Sequence, residues 1–117
     1  MALHTLYVYG TLRSRDVGNA DFHWIKGALY NLGSFPGLKL YEGCNSEVKC
    51  EKIVVDDEKL AALDRYEGYR EDSPETSLYL RVPILDGWVY TYNHEVDPKS
   101  LISSGDWFNR ETEEEFI

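Results

Sequence analysis

The run from residue 77 to residue 92 constrains this chain more than any other stretch. Leu78, Leu80, Val82 and Ile84 alternate with Tyr79, Arg81 and Pro83. That is the period-2 pattern of an extended strand with two distinct faces. Asp86-Gly87 follows, a tight-turn dipeptide, and Trp88-Val89-Tyr90-Thr91-Tyr92 after it is aromatic and β-branched. Two such runs joined by two residues predict an antiparallel hairpin. A lone hairpin is marginal in water, so the rest of the chain must cover it.

The remaining segments are short. Residues 3–9 read as a first strand that breaks at Gly10, and residues 11–18 as a loop carrying Arg13, Arg15 and Asp16. Asn19 is placed to cap a short helix over residues 21–26 that stops at Gly27. Residues 28–32 read as a strand, Gly33-Ser34-Phe35-Pro36-Gly37 as a turn, and residues 38–41 as a third strand. Residues 48–55 read as another. Asp56 or Asp57 then opens the clearest helix, with Leu60, Leu63 and Asp64 at helical spacing, running to about Tyr66 or Glu67 and stopping at Gly68. From Asp97 onward the pattern is irregular. The fold class expected is α+β: a small mixed β-sheet or β-barrel flanked by one or two short helices. Strict strand–helix alternation is absent, which argues against a doubly wound parallel sheet.

A chain of 117 residues, 43% of them hydrophobic, fits one domain with one core. Residues 1–117 therefore read as a single domain with a less regular acidic tail from about residue 109, where Glu111, Glu113, Glu114 and Glu115 gather. Twelve Lys and Arg against twenty-one Asp and Glu leave a net charge of -9. Such a surface repels phosphate backbones and anionic lipid, so neither nucleic acid nor membrane is the expected partner. No segment reaches the roughly 20 apolar residues a membrane span needs. The first residues lack a signal-peptide pattern, and a cytoplasmic location is the expectation. Cys44 and Cys50 would stand too far apart to bridge on one straight strand; a hairpin between them leaves a bond open, and two reduced thiols are the favoured reading.

Several residues invite a chemical role. Tyr9-Gly10-Thr11-Leu12-Arg13 leaves the first strand at a glycine, where a ligand can approach the backbone and successive N–H groups can cradle an anion. The same five residues also suit an ordinary strand-to-loop turn. Glu67 stands at a helix end between Tyr66 and Tyr69, and a carboxyl among rings with little water holds its proton more tightly. A general acid/base working near neutrality needs that tuning, although a solvated helix-terminal glutamate has the same local sequence. Asp64 borders the apolar helix face. Tyr79 and Arg81 share one strand face, and Tyr90 and Tyr92 share another. His4, His23 and His94 lack metal-ligand spacing, and no nucleotide-binding or nucleophile-elbow motif occurs. No cofactor is expected on these grounds.

Read in order, five stretches resemble the gamma-glutamylcyclotransferase-like family, including its gamma-glutamylamine cyclotransferase and plant avirulence-induced-protein-like branch. They are Tyr7-Val8-Tyr9-Gly10-Thr11-Leu12-Arg13; the run from Gly27 through Phe35-Pro36-Gly37-Leu38; Leu63-Asp64-Arg65-Tyr66-Glu67-Gly68-Tyr69; Tyr79-Leu80-Arg81; and Trp88-Val89-Tyr90-Thr91-Tyr92. The resemblance spans roughly residues 5 to 93 and implies a compact mixed barrel with a cavity at the end of the first strand. It implies a small gamma-glutamyl substrate bound by Tyr9, Gly10, Thr11, Leu12, Tyr79 and Tyr92, with Glu67 as general acid/base. The implied reaction is intramolecular: the glutamyl α-amine attacks its own γ-carbonyl, giving 5-oxoproline and a free amine. A non-catalytic module keeping the same pocket is the alternative. The chain departs from the family at Cys50-Glu51, where a Gly-Glu pair is frequent, and at Lys52, where an apolar residue is frequent. These departures are expected either to reshape the pocket rim or to mark a divergent substrate. The loop over residues 70–76, with Glu71, Asp72 and Glu75, would favour a cationic leaving group if it lined the mouth, and also reads as a solvated loop. Oligomeric state is left open.

Overall fold

A computed structural model of the protein describes residues 2–10, 13 and 21–109. Thr11, Leu12, Asn19 and the acidic tail beyond residue 109 lie outside the described residues. Seven strands and one α-helix occur among those described: β1 (Leu3–Val8), β2 (Phe22–Lys26), β3 (Ala28–Asn31), β4 (Pro36–Lys39), β5 (Glu47–Asp56), α1 (Asp57–Glu67), β6 (Tyr79–Ile84) and β7 (Gly87–Tyr92). Short 3₁₀ turns at residues 74–76, 98–100 and 107–109 complete the order.

The five-stranded sheet runs β2-β5-β1-β7-β6, and β3 and β4 form a separate two-stranded ribbon. β1 sits at the centre. It pairs antiparallel with β5, Tyr7 opposite Lys52, and parallel with β7, Leu6 opposite Trp88. The expected hairpin is present as β6–β7, with Tyr79 opposite Tyr92 and Arg81 opposite Tyr90. The α+β reading holds. Its barrel detail takes a more open form: β2 and β6 remain the two sheet edges, and no ladder among the described residues joins them.

Residues 21–26 depart from expectation. The predicted short helix is instead strand β2, paired along its length with β5, His23 opposite Cys50 and Ile25 opposite Val48. Six residues give little helical cooperativity, whereas Phe22, Trp24 and Ile25 suit a half-buried pleated edge. The other elements fall within a residue or two of their predicted bounds.

The strand period divides the core into two layers. Leu6 and Val8 of β1 point to the side covered by α1 and join Leu60, Leu63, Tyr79 and Tyr90. Tyr7 and Tyr9 point to the opposite side and join Leu29, Leu38, Val48, Ile102 and Trp107. The ribbon and the segment after residue 100 cover that second side. Ile102 N–H donates to the Leu29 carbonyl at 2.8 Å, and Lys49 N–H donates to the Gly105 carbonyl at 2.7 Å. Trp107, carried on this return segment, is thus a core residue.

Local chemistry sets the ends of α1. The Asp56 carboxylate accepts from the Lys59 N–H at 2.8 Å, and Asp57 and Glu58 lie in the first turn, favourable to the helix dipole. At the other end Gly68 adopts φ 71°, and its N–H returns to the helix carbonyls. That left-handed conformation suits glycine, and it ends the helix directly after Glu67. Burying Leu60 and Leu63 against the sheet contributes about 2 kcal/mol each and holds the helix in place.

Candidate active site

A cavity of about 260 Å³ opens at the end of β1. Tyr7, Val8, Tyr9 and Gly10 form one wall; Phe35 and Pro36 enter from the start of β4; Tyr66 and Glu67 come from the end of α1. Leu78 and Tyr79 from the start of β6, with Tyr90 of β7, complete it. Four separate elements therefore converge on the point where the first strand ends.

Gly10 is required there by space. A Cβ at that position would lie 2.8 Å from Pro36 Cγ and 3.1 Å from Pro36 Cδ. The first is too close for two carbon atoms and the second is tight, so the strand end and the β4 turn meet this closely only because residue 10 lacks a side chain. The Arg13 N–H donates to the Gly10 carbonyl at 3.0 Å. The Arg13 side chain is buried. Its guanidinium donates to Asp106 Oδ1 at 2.6 Å and lies 4.6 Å from the Phe108 ring centroid and 5.1 Å from that of Phe22. Arg13 is thereby anchored to the return segment.

Glu67 is the chemically distinctive group. Its carboxyl is partly buried in the cavity wall, and burial raises its pKa from 4.5 to about 7. No described residue gives its carboxylate a hydrogen bond or ion pair that would offset that burial. The surrounding tyrosines have their hydroxyl protons engaged elsewhere. Tyr9 donates to the Tyr90 carbonyl at 2.6 Å, Tyr79 to the Pro36 carbonyl at 2.5 Å, and Tyr90 to Asp64 Oδ1 at 2.6 Å. Burial pushes all three phenols up, and the negative charge of Glu67 adds to the rise in each. All three phenols stay neutral, so none adds a charge to the cavity wall.

Asp64 lies one helical turn before Glu67 and braces the wall. Its Oδ1 accepts from Arg81 Nε at 2.9 Å as well as from Tyr90. Arg81 also stacks over Trp88, 4.4 Å from the ring centroid. This network ties α1 to β6 and β7 without touching Glu67. A further tie is the Leu78 N–H, which donates to the Gly68 carbonyl at 3.0 Å.

Tyr9, Gly10, Tyr79 and Glu67 are thus brought together in one cavity. Thr11 and Leu12 fall outside the described residues. Tyr92 stands apart from the lining. It pairs with Tyr79 across the hairpin, and its ring meets the Tyr79 ring edge-on at 5.4 Å, so it supports Tyr79 from behind. Tyr90 takes the place in the wall anticipated for Tyr92. Phe35, Pro36, Tyr66 and Leu78 were not anticipated by sequence reasoning. The only sequence signal for them was adjacency, since each neighbours a residue or turn already marked.

The two family departures lie elsewhere. Cys50 is fully buried in the core layer beneath the ribbon, and burial raises its thiol pKa to about 12. Lys52 pairs with Asp86 at 2.8 Å, and Asp86 also accepts from the Tyr7 hydroxyl. Neither residue lines the cavity, so neither reshapes its rim. Cys44 and Cys50 are both free thiols. Glu71, Asp72 and Glu75 are exposed and lie outside the lining, which removes the basis for a cation-selective mouth.

Comparison with known proteins gives a consistent picture. The sequence pattern of the family described as gamma-glutamyl cyclotransferase, AIG2-like, matches residues 6–109. A Vibrio cholerae protein provisionally named a gamma-glutamylcyclotransferase is 37% identical, covering 92% of this chain and 97% of its own length. The gamma-glutamylcyclotransferase family protein YtfP of Escherichia coli K12 is 34% identical, covering 91% of this chain and 97% of its own. Among solved structures, the uncharacterized protein PH0828 of Pyrococcus horikoshii has a TM-score of 0.62 at 22% identity over 89% of both chains. YkqA of Bacillus subtilis has a TM-score of 0.62 at 23% identity, covering 91% of this chain and 40% of that one. The two structural likenesses establish the fold. No described helix is long and apolar enough to cross a membrane.

Proposed function

The chain belongs to the gamma-glutamyl cyclotransferase, AIG2-like family, and from that premise we propose that it is an active cyclotransferase with Glu67 as its general acid/base. The substrate is a gamma-glutamyl amine or small gamma-glutamyl peptide. The glutamyl head enters toward the end of β1, where the backbone at Gly10, together with Thr11 and Leu12, receives its α-carboxylate. The rings of Tyr9 and Tyr79 pack against its methylenes, and Tyr92 acts indirectly through Tyr79. The two free thiols suit action in the cytoplasm.

The observation that carries this reading is the state of Glu67: a carboxyl in a cavity wall, without a described partner, whose proton is held to about 7. The α-ammonium of the substrate must release a proton to expose its lone pair, and the departing nitrogen must gain one. A carboxyl that titrates near neutrality can accept the first and return the second. The amine then forms a C–N bond to the γ-carbonyl carbon as the original amide C–N bond breaks. Both reacting groups belong to one molecule, so holding it in the folded conformation supplies much of the acceleration.

The test is release of 5-oxoproline from gamma-glutamyl amines, gamma-glutamyl dipeptides and glutathione by the wild type and by Glu67→Gln. Release by the wild type that is lost in a folded Glu67→Gln protein supports the assignment. Equal release by both removes Glu67 from its role. A folded wild type that binds 5-oxoproline without producing it from any substrate would be a binding module instead.

A further inference from the structure

Three large apolar side chains stand exposed around the mouth of this cavity: Tyr66 at 69%, Phe35 at 43% and Leu78 at 39% of their full exposure. Scattered exposed apolar residues need no explanation, but three on the rim of one cavity form a patch. Each directly precedes an inward-facing residue: Tyr66 before Glu67, Phe35 before Pro36, Leu78 before Tyr79. The rim is held relative to Glu67. The Leu78 N–H is tied to Gly68, and the Tyr79 hydroxyl is tied to the carbonyl of Pro36.

The chemistry of the lining narrows what the rim can accept. Glu67 is the only charged residue among the described residues that line the cavity. A leaving group bearing a carboxylate meets no described lysine or arginine on the wall, and it approaches a chain of net charge -9. Among the described lining residues a cationic leaving group meets only Glu67, which at neutral pH carries a proton much of the time. A leaving group with an apolar ring or branched alkyl chain, by contrast, would cover the exposed faces of Phe35, Tyr66 and Leu78 and be desolvated with them. The amide nitrogen must lie within reach of Glu67, so the group it carries projects toward this open side.

We propose that Phe35, Tyr66 and Leu78 form the leaving-group subsite, and that the preferred substrates are gamma-glutamyl derivatives of apolar, ring-bearing or branched-alkyl amines. The proposal rests on the cyclotransferase reading above and refines it by naming the substrate class. The rim residues determine specificity and take no part in proton transfer.

The experiment compares kcat/KM for four synthetic gamma-glutamyl amides, those of benzylamine, ethanolamine, glycine and 1,5-diaminopentane. The expected result is a benzylamide preference of about tenfold or more over the ethanolamide, carried mainly by KM. The glycine and diaminopentane derivatives should fall at or below the ethanolamide. In Tyr66→Ser and Phe35→Ser, each checked for folding by circular dichroism, the benzylamide-to-ethanolamide ratio should drop toward one. A wild-type ratio within about twofold of one overturns the proposal, as does a preference for the glycine or diaminopentane derivative. So does a benzylamide preference that survives both substitutions. Absence of turnover with all four amides overturns this proposal; the cyclotransferase reading itself falls only if gamma-glutamyl dipeptides and glutathione are also left unturned.

Discussion

Glu67→Gln separates the cost of burying a carboxyl from the chemistry that carboxyl performs. In the folded chain Glu67 holds its proton to about 7, against 4.5 for the free side chain, because burial disfavours the anion. Between those two values the folded protein keeps a proton that the unfolded chain has released. Stability therefore falls as pH rises through this window, is undiminished below about 4.5, and is flat again above about 7. At about 1.36 kcal/mol per pH unit, the window amounts to about 3 kcal/mol. Glutamine preserves the shape and does not titrate. The stability of Glu67→Gln minus that of the wild type should therefore rise by about 3 kcal/mol between about pH 4 and about pH 8, then level off. Urea unfolding at a series of pH values measures both proteins, and the other titrating groups cancel in the difference. Any constant offset from burying the amide does not alter the slope. A difference that varies by less than about 0.5 kcal/mol across that range would refute the reasoning. Glu67 would then ionise normally in the folded state, and its fitness as a neutral-pH acid/base would lose its physical basis.

Three other outcomes follow from the same geometry. The ionised form of Glu67 is the one that accepts the substrate proton, so wild-type kcat/KM should rise with pH to about 7 and level off; stopped assays of 5-oxoproline across pH measure it, and a flat profile would remove Glu67 as the base. Gly10→Ala places a carbon 2.8 Å from Pro36 Cγ, so it should cost about 1–3 kcal/mol of stability and raise KM by separating the strand end from the β4 turn. Urea midpoints and steady-state kinetics report the two effects, and an unchanged KM would show that the turn does not position substrate. Asp106→Asn leaves the buried Arg13 guanidinium facing a neutral amide, which should cost about 2–3 kcal/mol and weaken binding through the Gly10–Arg13 turn. The corresponding Lys49→Ala change should cost much less, since Lys49 is 3.9 Å from Asp106 and more exposed.

What could be read from the sequence, and what could not, divides by the range of the interactions involved. Helix α1 was legible because its signals are local: Asp56 caps it, Leu60 and Leu63 face one way, and Gly68 ends it. The β6–β7 hairpin was legible for the same reason, through alternation and the Asp86-Gly87 turn. Strand β2 was not. The shortness and aromatic content of residues 22–26 lean toward a strand without settling it, and the deciding partner, β5, lies well downstream. The site shows the same division. Glu67 could be marked from its helix end and its tyrosine neighbours. That Pro36 seals against Gly10, or that Tyr90 and not Tyr92 faces the cavity, depends on how the ribbon and the hairpin cross β1. Tyr90 and Tyr92 share a strand face, so periodicity cannot rank them. The ranking comes from Tyr92 standing directly opposite Tyr79, which places its ring behind that residue, while Tyr90 stands opposite Arg81 and reaches Asp64. The same register explains why the wall is neutral. Arg81 and Asp64 satisfy each other and Tyr90, so the one charge left unpaired among the described lining residues belongs to Glu67, the group for which titration near neutrality is useful.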